Sequence, residues 1–425
     1  LQVNKVGLLD NFFTLGGHSL LATQLIAKVE ADYHAQIQLR TLFENPTVEA
    51  LARALEQAKS ADAIVDMANQ QRPDSIPLSF AQERLWFLQN FNDDGHVFNM
   101  PGALRMRGKV DTADLTWALN QLIAKHEVLR TGFESVDGVA MQVIYPELSV
   151  TIATEDLSAM ALPEQTLRSR IDQCARQVFD LQQPALFSVN RYLMSEDEEE
   201  SVLVFVMHHI IADGWSLGVF ISEWISLYQR KRTEGEQALE MPELQYADYA
   251  LWQRDWLSGE RLTGQIAFWQ KALAGSTTLN LPTDFSRPAV QQYQGELLHF
   301  TLPASLHDAI NLHAKLQEAT PFMVLMSAYM VMLARYAGQD DICVGSPIAG
   351  RGQAQTQSML GLFINTLTYR GDVAKQVSFN ALIQQVRQFS LDAYANQDIP
   401  FEKLVDALKV TRDTSYTPVF QTLFT

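Results

Sequence analysis

Residues 201–216, SVLVFVMHHIIADGWS, combine an apolar run, a pair of histidines and a helix start in one short stretch. The unbroken apolar run is typical of a strand that is covered on both faces. His208 and His209 follow it, and Ser216 is predicted to cap a helix whose apolar residues recur at helical spacing. The stretch therefore predicts an α/β fold in which a strand end presents side chains that can do chemistry.

The two histidines are not expected to share a metal ion. Side chains alternate faces along a strand, so His208 and His209 should point in opposite directions. A zinc site also needs further ligands, and no third one is visible nearby in the sequence. One such histidine alone would be interpreted as a core residue. A pair followed by Asp213 and Gly214 favours a reaction site instead.

The rest of the large body repeats this alternation of strands and helices. Residues 111–133 predict a helix followed by a strand. Thr320 and Pro321 predict the start of an apolar helix, and Gly338 predicts its end. Residues 280–296 contain two prolines and no helical period, so we interpret them as a crossing between two lobes.

Composition excludes several classes of function. Of 425 residues, 47% are hydrophobic and 19% are charged, as in a globular protein of more than one domain. The net charge of −17 and the absence of a Lys/Arg cluster argue against nucleic acid as a partner. The sequence has no run of about 18 apolar residues, which argues against a membrane partner. Cys174 and Cys343 match no disulfide or metal spacing, so we expect a cytoplasmic location.

A second informative stretch is NFFTLGGHSLLATQL, residues 11–25, in which a pair of glycines leads into a helix at Ser19. Ser19 could be a nucleophile, a helix cap or a point of attachment. A nucleophile elbow needs a glycine two residues after the serine, and Leu21 stands there. Gly16 and Gly17 allow another enzyme to approach the backbone, and a helix N-terminus suits a bound phosphate. Attachment is the favoured interpretation.

The sequence divides into three predicted parts. Residues 1–57 form a small all-α helical bundle, whose own first helix is expected to be truncated. Residues 58–75 are polar and predict a linker. Residues 76–425 form the α/β body, with an N-lobe at about 76–255 and a C-lobe at about 256–425.

Seven stretches of the large body resemble, in order, the motifs of condensation domains of nonribosomal peptide synthetases. HHIIADG at 208–214 resembles the HHxxxDG motif of these relatives of chloramphenicol acetyltransferase. The other six are SFAQERLWFL (79–88), KHEVLRTGF (125–133), YADYALWQ (246–253), VGSPIAGR (344–351), GLFINTLTYR (361–370) and NQDIPFEKLVDAL (396–408). The resemblance implies two chloramphenicol acetyltransferase-like lobes that form a V with a central tunnel.

The resemblance also implies roles for the residues of the histidine motif. His209 corresponds to the catalytic histidine, and we expect it to orient the attacking amine and to take its proton late. His208 is expected to pack and hydrogen-bond internally. Asp213, followed by Gly214 at a sharp turn, is expected to form a structural ion pair with Arg130 rather than to orient the catalytic imidazole.

Asn365, in the GLFINTLTYR stretch, has two possible roles. Its side chain could face the tunnel and bond a substrate amide, or it could serve at the end of a strand. Both hypotheses stay open on the sequence alone.

The first unit resembles a peptidyl carrier protein. DNFFTLGGHSL at 10–20 is similar to the DxFFxLGGHSL signature of that family. The resemblance implies that Ser19 carries 4′-phosphopantetheine through a phosphodiester, while His18 is expected to be a surface residue.

Together the two resemblances imply an acyltransferase of nonribosomal peptide synthesis. The carrier would present an aminoacyl or peptidyl thioester as donor, and the condensation domain would join it to the amine of a downstream carrier-bound aminoacyl thioester. The implied partners are an upstream adenylation domain, downstream adenylation and carrier domains, and a phosphopantetheinyl transferase. Two alternatives are a non-catalytic docking platform for carrier-tailoring enzymes and an acyltransferase that uses a soluble amine.

Overall fold

The computed structural model describes residues 3–425 except 4, 18, 34, 36, 38, 59–66, 68–70, 92–94, 236–238, 293, 375–376 and 411–412. At 19, 20, 31 and 91 it describes the backbone alone. Most of the predicted linker, 58–75, therefore lies outside the described residues. The chain forms two compact units: Leu1–Ile64, Leu257–Ala354 and Ile364–Thr425 make up the first, and Val65–Trp256 and Gln355–Phe363 make up the second.

The N-terminal part of the first unit is helical, as predicted. It contains α1 (Ser19–Tyr33), α2 (Leu39–Glu44) and α3 (Val48–Gln57). Thr47 caps α3, because its Oγ1 accepts a hydrogen bond from the N–H of Ala50 at 3.2 Å. The predicted domain bounds at 57, 58 and 75 stay a prediction.

The spacing of Leu21, Leu25 and Val29 predicts one apolar face of α1, and the observed buried face is turned from it by about one residue. Leu21 and Leu25 are only half-buried. Ala22 and Ile26 are buried instead, together with Val29 of the predicted face, and all three join the core of the unit. Positions one residue apart are about 100° apart around a helix, so both faces fit the same apolar spacing, and only packing distinguishes them.

The described strands of the second unit are β1 (Ile76–Pro77), β2 (Asn99–Arg107), β3 (Thr131–Val136), β4 (Val139–Ile144), β5 (Ala153–Asp156), β6 (Phe187–Leu193) and β7 (Glu200–His208). They form a four-stranded sheet in the order β2-β7-β6-β5 and a three-stranded sheet in the order β1-β4-β3. All pairs are antiparallel except β5 with β6. The helices are α4 (Phe80–Phe91), α5 (Thr112–Lys125), α6 (Pro163–Ala175), α7 (Gly214–Glu234) and α8 (Tyr246–Trp256).

Strand β7 has the buried character that its sequence predicts. It pairs with β2 on one side and β6 on the other, and its residues from 201 to 208 are all buried. Helices α5 and α7 pack together, and the indole N–H of Trp224 donates to the carbonyl of Leu115 at 3.0 Å. The strand that leads to the histidines is thus hydrogen-bonded to a neighbouring strand along both edges.

The remainder of the first unit is again mixed α/β. Its helices are α9 (Gly259–Ala272), α10 (Ala304–Leu316), α11 (Pro321–Ala337), α12 (Phe379–Tyr394) and α13 (Phe401–Leu408). Its antiparallel strands are β8 (Asp341–Ile348) and β9 (Asn365–Asp372). The predicted bounds of α11 are confirmed: Thr320 caps it with Pro321 at its first position, and Gly338 ends it with φ of 66°.

The predicted crossing at 280–296 is wrong. This segment lies within the first unit, and the nearest passages to the other unit fall between Trp256 and Leu257 and between Ala354 and Gln355. Its described residues form no helix or strand, and the N–H of Gln291 donates to the carbonyl of Thr414 in the same unit at 2.8 Å. Its prolines were evidence for irregular backbone and not for a boundary.

No single helix among the described residues has the length and apolarity that a membrane span needs. Helices α10 and α11 meet that test only when taken as a pair, and the pair is bent by 105°.

Candidate functional site

The candidate site lies where β7 ends and α7 begins. The last residue of β7 is His208, which pairs with Asn99 of β2. A single 3₁₀ turn, His209–Ile211, follows, and α7 starts at Gly214. The chain therefore leaves the extended conformation between the two histidines, and the backbone N–H of His209 donates to the carbonyl of Phe98 at 2.8 Å.

His208 is fully buried. Its Nδ1 accepts a hydrogen bond from the N–H of Ile210 at 3.2 Å, and the rings of Phe98 and Phe179 lie edge-on to it at 6.3 Å. Burial lowers the pKa of the His208 imidazole to about 4, with a smaller contribution from His209. His208 is therefore neutral at pH 7 and belongs to the packing beneath the site.

His209 is only partly buried, and its ring is oriented by the backbone. Its Nδ1 lies 2.8 Å from the carbonyl oxygen of Ala212. A carbonyl oxygen can only accept, so Nδ1 carries the proton of the neutral ring, and Nε2 holds a lone pair. This tautomer is the one that can accept a hydrogen bond or a proton through Nε2.

Asp213 is buried and caps α7. Its Oδ1 accepts from the N–H and from the hydroxyl of Ser216, both at 2.8 Å, and its Oδ2 accepts from the N–H of Phe363 at 3.0 Å. The prediction that Ser216 caps this helix is wrong. The helix begins at Gly214, so Ser216 lies inside its first turn and donates to the cap.

The predicted ion pair between Asp213 and Arg130 is not formed. The guanidinium of Arg130 donates to the carbonyl of Tyr145 and lies 4.0 Å from Glu127. Arg130 ends the 3₁₀ turn before β3, and its side chain is used to fasten the end of β4. Asp213 instead caps α7 and accepts from the backbone N–H of Phe363.

Gly214 does not stand at a sharp turn, contrary to the prediction. It is the first residue of α7, and its φ lies outside the left-handed region. The chain turns earlier, in the 3₁₀ turn after β7. A methyl group at this position would meet no atom within 4 Å, so neither backbone strain nor protein packing accounts for the glycine.

Asn365 begins β9, and its side chain is used within the first unit. Its Nδ2 donates to the carbonyls of Gln397 and Ile399 at 2.9 and 2.8 Å, and its Oδ1 accepts from the N–H of Phe401 at 3.2 Å. Both amide hydrogens are thus bonded to the protein. The geometry favours the strand-end hypothesis over a bond to substrate.

The attachment stretch places Ser19 at the first residue of α1, a helix of 15 residues. The Ser19 side chain and all of His18 lie outside the described part of the structure. The preceding turn is tight: the N–H of Gly17 donates to the carbonyl of Phe12 at 2.9 Å, and a Cβ on Gly17 would approach the Phe12 ring to 2.4 Å. Gly16 has φ of 95°, and a Cβ there would meet no atom within 4 Å.

The structure also reveals site residues that the sequence analysis missed. Phe363 takes part through its backbone N–H, and Trp215 donates its indole N–H to the carbonyl of Gln357 at 2.9 Å. Backbone donors and acceptors have no signature in sequence. Among the described residues, no group of three or more His, Cys, Asp or Glu side chains could hold a metal ion.

Comparisons with known proteins identify the family of each part of the chain. A family model described as "Condensation domain" matches residues 72–425, and one described as "Phosphopantetheine attachment site" matches residues 1–55. The chain is 43% identical over 431 residues to one protein of the linear gramicidin synthase of Brevibacillus parabrevis, and 42% identical over 427 residues to a second protein of the same synthase. Each match covers 100% of this chain and 8% of the relative, so the chain spans less than a tenth of these relatives' length.

A solved structure has a similar fold. The crystal structure of the X-domain from teicoplanin biosynthesis matches with a TM-score of 0.76 and 28% sequence identity, over 84% of this chain and 79% of that one. The predicted α/β class is confirmed.

Proposed function

Because this chain belongs to the condensation-domain family of nonribosomal peptide synthetases, enzymes that form amide bonds, and also has a phosphopantetheine attachment domain, we propose that His209 promotes transfer of an acyl group from Ser19 to an amine. The observation that carries the proposal is the 2.8 Å contact between Nδ1 of His209 and the carbonyl of Ala212. It fixes the tautomer in which Nε2 accepts.

The energetics of the reaction set the role of His209. A free α-amine has a pKa of roughly 7.7–8.0, so freeing it at neutral pH costs only about 1 kcal/mol. Orienting the amine against the acyl carbon is the larger demand and is worth up to about 7–11 kcal/mol. Nε2 accepts a hydrogen bond from the amine, holds it in line, and takes its proton as the C–N bond completes. The C–S bond breaks, and the departing thiolate takes that proton to become the free thiol.

Ser19 is the attachment point on this proposal. The phosphopantetheine group supplies a thiol on a flexible arm, on which the acyl group is carried as a thioester. The N–H groups at the start of α1 and the positive end of its dipole favour the negative phosphodiester. Gly16 is exposed and gives the modifying enzyme, a phosphopantetheinyl transferase, access to the backbone, whereas Gly17 packs against Phe12.

The carrier precedes the condensation domain in the chain, and we assign it the donor role for that reason. Attachment keeps the donor at high effective concentration without a new contact. The partners are then an upstream adenylation domain that loads the donor, and downstream adenylation and carrier domains that present the acceptor aminoacyl thioester. A cytoplasmic location accords with two free cysteines, Cys174 and Cys343.

The test has two arms. The chain is treated with a phosphopantetheinyl transferase and an acyl-coenzyme A, and the mass of the peptide that contains Ser19 is measured by mass spectrometry. Transfer to a carrier loaded with an aminoacyl group is then measured for the wild type and for His209→Ala. We expect the mass gain in both chains and transfer in the wild type alone.

Unchanged transfer by His209→Ala would refute the role of His209. A missing mass gain on Ser19 would refute the carrier assignment. Loading without transfer in the wild type would favour a non-catalytic docking platform. Transfer to a soluble amine alone would favour an acyltransferase that uses a soluble amine.

A further inference from the structure

Residues 357–363, here called the strap, are held by side chains at the start of α7 and α8. The indole N–H of Trp215 donates to the carbonyl of Gln357 at 2.9 Å. The hydroxyl of Tyr246 donates to the carbonyl of Leu362. Both bonds fix backbone atoms of the strap and do not depend on its side chains.

Two more side chains hold the strap, and both belong to the first turn of α7. Asp213 Oδ2 accepts from the N–H of Phe363 at 3.0 Å. Ser216 Oγ accepts from the N–H of Gly361 at 3.1 Å and lies 2.7 Å from the carbonyl of the same residue. The single hydroxyl proton of Ser216 is shared between that carbonyl and Asp213 Oδ1 at 2.8 Å. Helix start and strap are therefore one hydrogen-bonded network.

This network ends at the carbonyl that orients the imidazole. The carbonyl of Ala212, which accepts from Nδ1 of His209, belongs to the peptide group that joins Ala212 to Asp213. Asp213 is held at both carboxylate oxygens, one by Ser216 and one by Phe363. Fixing the side chain and N-cap position of Asp213 thus restricts rotation of that peptide group.

Burial makes the network costly to break. Asp213 is 2% exposed and Ser216 is fully buried, so water cannot replace a lost partner there. A Cβ on Gly361 would come within 1.8 Å of the Tyr246 ring, so the backbone of the strap packs directly against that ring and leaves no space for a side chain at Gly361.

We propose that the strap is a positioning element for His209, acting through Ser216 and Asp213 on the Ala212 carbonyl. Ser216 and Trp215 are then positioning residues, because neither needs to touch substrate. The expected effect on the transfer rate rests on the proposed function of His209. The expected effect on the tautomer of the His209 ring is independent of that function.

The first experiment compares Ser216→Ala with Ser327→Ala in the full chain. Ser327 is also fully buried, and its hydroxyl donates to the carbonyl of Met323 at 2.7 Å in α11. With saturating loaded acceptor carrier, we expect kcat of Ser216→Ala to fall about ten- to a hundred-fold, with KM for the acceptor unchanged. Ser327→Ala should lose stability but keep its kcat. Equal loss of rate in the two variants would show that stability and not positioning is responsible.

The second readout is the tautomer of His209, followed by long-range ¹H–¹⁵N NMR on chains with labelled histidine. The wild type should show the Nδ1–H form, and Ser216→Ala should show a mixture of both forms. A pure Nδ1–H signal together with an unchanged kcat would overturn the proposal.

Trp215→Phe keeps the proposal testable if Ser216→Ala does not fold. It removes one hydrogen bond to the strap, at a half-buried position, and preserves an aromatic ring. We expect a smaller change of the same kind, a fall in kcat of a few-fold and a detectable second tautomer. If His209→Ala proves fully active while Trp215→Phe shifts the tautomer, the proposed function fails and the positioning role stands.

Discussion

His208 and His209 are adjacent and chemically identical, yet their surroundings differ in almost every respect. His208 is fully buried, and its Nδ1 is used as an acceptor. His209 is half-buried, and its Nδ1 is used as a donor. The difference arises because the strand ends between them, so one side chain completes the sheet and the other follows the turn. Only the second has a free acceptor at Nε2 when neutral.

The low pKa of His208 predicts a loss of stability in mild acid. It falls from 6.5 to about 4 on folding, so between these values the unfolded chain binds a proton that the folded chain does not. Each pKa unit is worth about 1.4 kcal/mol, so the loss between pH 6.5 and 4 is about 3 kcal/mol. Stability is unaffected by this group above pH 6.5.

Urea unfolding at several pH values measures the effect, and His208→Gln is the control for other titrating groups. We expect the wild type to lose more stability than the variant between pH 6.5 and 4. Parallel pH curves for the two chains would contradict the burial argument.

One substitution can decide between the two hypotheses for the role of Asn365, a substrate contact or a structural bond at the end of a strand. Asn365→Ala removes four hydrogen bonds within the first unit and is expected to lower the free energy of unfolding by about 1–3 kcal/mol. KM for the acceptor should not change. Asn120→Ala is the matched control, because Asn120 makes similar bonds to Val150 in the second unit. A raised KM in Asn365→Ala alone would restore the hypothesis of a substrate contact.

At the scale of elements, helix α7 depends on a residue before it and a segment far from it. Asp213 caps its N-terminus, and the same carboxylate accepts from Phe363, 150 positions later in the chain. The cap therefore joins a local motif to a long-range contact. This is how Asp213 is held in the interior by Ser216 and Phe363, while Arg130 bonds elsewhere.

Gly361 and Gly352 lie in the same connection between β8 and β9 but tolerate a methyl group differently. Gly361 has φ of 156° and lies against Tyr246, so Gly361→Ala is expected to cost about 1–3 kcal/mol or more through overpacking. Gly352 has no atom within 4 Å of a Cβ, so Gly352→Ala should stay within about 0.5 kcal/mol of the wild type. Thermal unfolding of both variants checks the expectation, and equal midpoints would show that the strap is not closely packed.

At the scale of the molecule, the helical N-terminal part packs in the same unit as α12. The rings of Phe43 and Tyr394 stack at 6.1 Å, and Arg40 lies 3.4 Å from Asp392. The ion pair is about two-fifths exposed on each side, so it contributes little. The buried apolar residues of this part, such as Leu42 and Phe43, belong to the same hydrophobic cluster as those of α12.

A carrier of this kind should depend on its tether. Doubling the predicted linker at 58–75 with Gly and Ser residues should lower the effective concentration by about three-fold, since it falls roughly as the −3/2 power of length. Single-turnover transfer would slow accordingly, while a separately supplied donor carrier serves as the control. An unchanged rate in the lengthened chain would show that docking, and not the tether, presents the donor.

Much of the fold was predictable because its signals are local. The apolar run of β7, the Thr47 and Thr320 caps and the Gly338 stop each depend on neighbours within one turn or strand. The crossing at 280–296 was not predictable, because prolines mark irregular backbone whether or not a domain ends there. Helical spacing also did not decide which face of α1 is buried, because two faces one residue apart fit the same apolar spacing.

The sequence by itself determined the family, the attachment motif at Ser19 and the identity of the two histidines, since these depend on residue types in a fixed order. Only the tertiary structure decided what those residues do to one another. It showed the His209 tautomer, the partners of Asp213 and the bonds that occupy Asn365. The physical reason is that each depends on a backbone carbonyl or N–H. Every residue except proline offers both, so residue type cannot specify which one is used.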